Sequence, residues 1–180
     1  MKKLFPILLL VFFIIGCGNM GTTPTGIVED FFAKYQKTDK KVITQLNDVV
    51  NDDVTLTITQ KDAYKNAIKR QYKALTYDIK NEVINGNDAI VTAEIEVYDL
   101  YKTTQTSQQY LTDNPTEFVD TNNLYSEGKF LDYRIGKMSS EISKIKYTLS
   151  LSLTKKDNKW VLDDLTETDR EKIHGLYNYS

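Results

Sequence analysis

The sequence predicts an α+β fold in which a curved antiparallel sheet packs against helices. Residues 75–101, LTYDIKNEVINGNDAIVTAEIEVYDLY, carry two runs of alternating apolar and polar residues around an Asn-Gly turn signal. Residues 144–165, KIKYTLSLSLTKKDNKWVLDDL, repeat that plan around Lys-Lys-Asp-Asn-Lys. Before and between these hairpins, apolar residues recur at helical rather than alternating spacing. A length of 180 residues suits one domain and a short appendage.

Taken in order, the first helix is predicted from Thr25, which serves as cap, with Glu29 and Asp30 where negative charge suits the helix dipole. Ile27, Val28, Phe31, Phe32 and Tyr35 fall on one face, which should lie on the sheet. A second helix runs from Asp39 to about Val50, and Val54–Thr59, VTLTIT, alternates like a short strand. From Gln60 to Ala74, Tyr64, Ile68 and Tyr72 with Ala67 and Leu75 form another helical stripe.

In the first hairpin Leu75, Tyr77, Ile79 and Val83 alternate before Asn85-Gly86; Val91, Ala93, Ile95 and Val97 alternate after it. Residues 102–140 interrupt the β pattern with a helical insertion, marked by Asn114 as cap, Pro115 at a first helical position, and Leu131, Ile135, Met138 and Ile142 at helical spacing. Gly128 and Gly136 weaken that helix. In the second hairpin Ile145, Tyr147, Leu149, Leu151 and Leu153 point inward, followed by a strand with Trp160 and Leu162. A last helix begins at Thr166, paired with Asp169 in an approximate capping box, and carries Ile173, Leu176 and Tyr177.

Composition narrows the function. A 41% apolar content supports a core. The 23 basic residues, two of them at positions 2 and 3, stand against 25 acidic ones, so no basic footprint for nucleic acid is present. One cysteine cannot form an internal disulfide.

That cysteine sits in MKKLFPILLLVFFIIGCGN, residues 1–19. Lys2 and Lys3 form a positive start, and Leu4–Ile15 is an uncharged apolar stretch. Its length of about 18 Å as a helix falls short of the ~30 Å hydrocarbon core, which favours a signal peptide over a membrane span. Ile14-Ile15-Gly16-Cys17 resembles the bacterial lipobox. The resemblance implies diacylglycerol, with acyl chains such as palmitate, on the Cys17 thiol and cleavage between Gly16 and Cys17, which leaves Cys17 as the first residue. Two chains matter because one binds a bilayer only marginally. The competing reading is a secretory signal with an incidental cysteine; charge, length and the small residue before Cys17 all favour the lipobox. Residues 1–16 are then the signal peptide, 17–24 a flexible tether, and 25–180 a single α+β domain with its insertion at 102–140.

The order of elements, with Tyr77 and Ile79, Ala89 to Ile95, and Lys159-Trp160, resembles the nuclear-transport-factor-2-like (cystatin-like) superfamily, and within it small bacterial surface lipoproteins. The resemblance covers most of residues 25–165. It implies a sheet curved into a cone whose open end holds a ligand. These motifs are packing and turn patterns and carry no chemistry.

No catalytic, cofactor-binding or metal-ligating set is predicted. Some members of that superfamily abstract a proton beside a carbonyl, and Asp99 with Tyr147 could face inward for such work, but a carboxylate at a strand end is usually solvated. His174, the sole histidine, reads as a solvated surface residue, and Asp52-Asp53 and Asp163-Asp164 read as turn and strand-end residues. Twelve tyrosines suggest a carbohydrate platform, yet Tyr64, Tyr72, Tyr77 and Tyr147 fall on core faces. The resulting expectation is a non-enzymatic envelope module, anchored to the membrane through Cys17 and facing outside the cytoplasm, that binds a protein, an envelope polymer or a small apolar ligand. The alternative is a small-ligand pocket enzyme of the isomerase or dehydratase type on the same fold. A structural spacer is a third.

Overall fold

A computed structural model describes residues 22–179; Gly16, Cys17 and the leader lie outside them. Six helices and four strands follow in the order α1 (Pro24–Gln36), α2 (Lys40–Asp52), α3 (Ile58–Ala74), β1 (Thr76–Asn85), β2 (Asp88–Tyr98), α4 (Leu100–Asp113), α5 (Glu127–Ser140), β3 (Lys144–Lys156), β4 (Lys159–Leu162) and α6 (Glu167–His174). A single 3-10 turn, Pro115–Phe118, links α4 to α5.

The strands form an antiparallel meander in sequence order, β1-β2-β3-β4. One face of β2 and β3 is dry: Val91, Ile95, Val97, Leu149, Leu151 and Leu153 are buried in one cluster with Val28, Phe31 and Phe32 of α1, Ile68 and Tyr72 of α3, and Ile173 of α6. Phe32 stacks on Tyr77 at 4.8 Å, which seats α1 on the sheet as its apolar face predicts. The opposite face is wet and carries an ion-pair ladder, Lys146 to Glu94 at 3.0 Å and Lys144 to Glu96 at 3.1 Å. Exposed pairs of this kind contribute about 0–1 kcal/mol each, so the dry face holds the sheet in place.

This architecture corrects the expected cone. The α+β class stands, but the sheet is an open four-stranded meander whose edges β1 and β4 do not meet, and the short β4 pairs at four positions only. Large aliphatic and aromatic side chains occupy the space a cone would enclose. A ligand-holding cone needs its inner residues to stop short of one another, and here they interdigitate.

Smaller corrections have local causes. VTLTIT forms no strand: Val54 and Ile58 are 95% and 82% exposed, and Thr57 caps α3. Thr57 and Gln60 form a reciprocal capping box, which competes with the alternating pattern and prevails. The first helix is capped by Thr23 instead of Thr25. The first hairpin turns at Gly86-Asn87, with Gly86 at φ 63, one residue later than Asn85-Gly86. A register shift between Ile79 and Asn81 then reverses the alternation, placing Val83 opposite Ile90 on the wet face. The expected helical insertion opens with a helix over residues 100–113, two residues before the expected start. Thr103, Thr104 and Thr112 donate to carbonyls four residues back, and stacking of Tyr110 on Tyr133 at 4.9 Å docks α4 on α5. Ile142 is exposed beyond the end of α5.

Candidate functional site

Polar chemistry concentrates at the end of the sheet where β2 passes into α4. Gln71 of α3 is fully buried, and its amide is satisfied by one residue: Tyr98 N–H donates to Oε1 at 2.9 Å, and Nε2 donates to Tyr98 O at 3.2 Å. Gly175 closes α6 at φ 70, its N–H turned back to the helix, and lies so close to Tyr98 that a Cβ would meet Tyr98 O at 2.1 Å. Its own carbonyl accepts from Tyr101 N–H at 2.7 Å. The chain after α6 is thereby strapped across the end of the sheet.

Asp99 is buried here, against the expectation of a solvated carboxylate. It is the N-cap of α4: Oδ1 accepts from Lys102 N–H at 2.9 Å, and Oδ2 accepts from the Tyr179 hydroxyl at 2.7 Å. Burial and this bond push the Tyr179 hydroxyl up to about 12. Tyr147 is also buried, with its ring edge-on to Tyr177 at 5.7 Å. Burial, then the charge of Asp99, raise its hydroxyl well above the tyrosine range, and that hydroxyl has no hydrogen-bond partner among the described residues. The structure therefore brings together the acid and the tyrosine that the sequence nominates. Both carboxylate oxygens are nevertheless engaged in holding α4 and the C-terminal strap, and packed rings surround them. A general base needs an uncommitted oxygen facing reachable space.

His174 is the second correction. It is half-buried, not solvated, with Nε2 2.9 Å from the Tyr72 hydroxyl. Burial, then Arg170, lower its pKa to about 4, so the ring is neutral at pH 7 and shares one hydrogen bond with the hydroxyl. Tyr72 packs edge-on against Tyr35 at 4.9 Å, which makes His174 part of the core wall.

The acidic pairs remain separate. Asp53 accepts from Thr55 N–H and its hydroxyl, forming a turn after α2, and Asp163 accepts from the Thr154 hydroxyl. Among the described residues no group of three or more His, Cys, Asp or Glu could hold a metal. A shallow groove of about 410 Å³ runs along α3 between Asn66, Lys69, Arg70, Lys73, Ala74 and Tyr98. Arg70 is spoken for: its guanidinium lies 4.0 Å over the Tyr98 ring and donates to Glu141 O.

At the opposite end of the sheet the N-terminus of α1 meets β1, where Thr25 N–H donates to Glu82 Oε2 at 2.8 Å. The negative side chain satisfies an open helix donor and complements the dipole. Sequence reading missed Gln71, Glu82 and Gly175. Gly175 alone had a local signal, a glycine directly after the last helical residue; the other two act through partners distant in sequence.

No family model matches the chain, and no curated protein does. Among solved structures it is similar to a candidate lipoprotein of Bacillus subtilis, at 16% identity and a TM-score of 0.43 over 87% of this chain. The match spans about half of that protein, 48% of its length. A likeness of that extent assigns neither fold nor activity. No helix among the described residues is long and apolar enough to cross a membrane.

Proposed function

We infer that this protein is a lipid-anchored module of the bacterial cell envelope, attached through Cys17, facing outside the cytoplasm, and acting by binding rather than by turnover. Ile14-Ile15-Gly16-Cys17 carries the reading: a lipobox-like sequence six residues before Thr23, the cap of the first helix. The spacing supports it, because the folded part starts within a short tether of the acylated residue. The packed interior supports binding over turnover, since both carboxylate oxygens of Asp99 are held in structural bonds and Tyr147 is buried in the packed core. A binding partner would be an envelope protein, a polymer or a small apolar ligand met at the surface.

Cells producing the full chain and fed labelled palmitate provide the test. The protein should take up label and fractionate with membranes, and Cys17→Ala should lose the label completely and leave the membrane fraction. Label retained by Cys17→Ala would overturn the reading.

A further inference from the structure

The two turns of the sheet lie side by side. Asp88 pairs with Thr154, and Lys155 N–H donates to Asn87 O at 2.7 Å, which sets Gly86-Asn87 beside Asp157-Asn158. Three aliphatic side chains stand out at this end: Val83, Ile84 and Ile90 are 54%, 52% and 48% exposed. Val83 and Ile90 are direct cross-strand partners and form one small apolar surface. Lys156 and Lys159 are exposed opposite each other on the neighbouring turn, and Lys155 sits 5.6 Å from the Trp160 ring. The bond from Thr25 to Glu82 puts the start of α1 at this end of the sheet, on the dry face, one residue before Val83 in the strand.

Tether length gives this surface an occupant. The six residue steps from Cys17 to Thr23 reach at most about 20 Å when fully extended. The Gly86 turn lies four residues beyond Glu82, about 13 Å along the strand. The end of the domain nearest the anchor is therefore the end carrying the exposed aliphatics and lysines. We propose that the paired turns form a membrane-docking tip that rests end-on in the lipid headgroup layer, with Val83 and Ile90 on one face of the sheet and Ile84 on the other. Aliphatic side chains flanked by lysine and tryptophan suit that layer, which accepts apolar groups at its base and ammonium groups at its rim. Asp88 and Asp157 in the same turns offset part of the lysine charge, so the apolar side chains carry the contact. Three half-exposed side chains would bind a bilayer weakly from solution. A tether this short makes the encounter intramolecular, and a weak contact is then populated.

This inference rests on anchoring through Cys17, and the experiment separates the two. The lipidated full chain is reconstituted into vesicles of phosphatidylethanolamine and phosphatidylglycerol, with Val83→Cys or Ile90→Cys carrying an environment-sensitive nitrobenzoxadiazole dye. Acylation blocks the native thiol, so labelling is confined to the new one. Asn66→Cys on α3 is the control. The dye at 83 or 90 should brighten several-fold, shift to the blue, and be quenched by lipids with a nitroxide at the headgroup, while the dye at 66 responds to none of these. Protein that sediments with vesicles while all three dyes behave alike would overturn the docking face and leave the anchor standing. Protein that stays in the supernatant would overturn the anchor and the docking face with it. A signal at 83 that follows protein concentration and ignores the lipid quencher would assign the face to a second copy of the chain.

Discussion

Where β2 runs out, Tyr98 is clasped by the Gln71 amide, Gly175 presses against its carbonyl, and Asp99 ties α4 to Tyr179. At the other end of the same strands, past Glu82, Val83, Ile84 and Ile90 face solvent and the turns end in lysines. One end spends its polar groups inward on partners from three different elements; the other leaves apolar groups uncovered. Buried polar groups must find partners or cost the fold their full desolvation, so the closed end is where stability is concentrated. Exposed aliphatics contribute little to folding, so their presence at the open end is better understood as surface chemistry.

Substitutions should separate the two ends sharply. Gly175→Ala should be the most damaging, because the new Cβ would meet a backbone oxygen at 2.1 Å at a φ of 70. We expect a loss of about 3–5 kcal/mol, which thermal denaturation would register as a drop on the order of 10 °C. A change below about 1 kcal/mol would mean that the strap is not fixed.

Acid should attack the closed end next. The folded-state pKa of His174 is about 4, below the ordinary value of 6.5. Between those values the unfolded chain binds a proton that the folded chain refuses, so stability falls as pH drops from 6.5 to 4 and is unaffected by this residue above 6.5. The loss amounts to at most about 3 kcal/mol. Chemical denaturation across that window should show a flatter profile in His174→Gln than in the wild type, and parallel profiles would remove His174 from the account.

Tyr147→Phe probes the same end with the opposite expectation. Its hydroxyl is buried and unpartnered, so removing it should leave stability unchanged or raise it by up to about 1 kcal/mol. A clear loss in urea titration would reveal a partner. The smallest effect belongs to the open end: Val83→Ser and Ile90→Ser should each shift the thermal midpoint by no more than about 0.5 kcal/mol equivalent. A larger loss would make these side chains part of the core and abolish the contrast between the ends.

Local signals reached a good part of this. The alternation of Val91 to Val97 and of Tyr147 to Leu153 identified the two central strands, and the stripe from Val28 to Tyr35 identified the helix that packs on them. Asp39 and Thr166 marked true helix starts. VTLTIT misled because alternation over six residues is a weaker constraint than a capping box and the packing of α3. The helix at 100–113 fell inside the expected helical insertion, but its bounds were not legible because threonine and serine have low helix propensity, and contact with α5 supplies what propensity lacks. The candidate site was legible in composition only. Asp99 and Tyr147 could be nominated by strand parity, but which partners occupy them could not.

By itself the sequence determined most element types, the dry face of the central strands and the lipobox-like Cys17, because each depends on residues close together in the chain. Tertiary structure alone decided that the sheet stays open and its inner face is filled, that Asp99 and His174 are hydrogen-bonded within the fold, and that Glu82 meets the start of α1. Those outcomes depend on which side chains meet across dozens of intervening residues, and the one-residue bulge at Lys80, invisible in the alternation, turned the last residues of β1 to the other face.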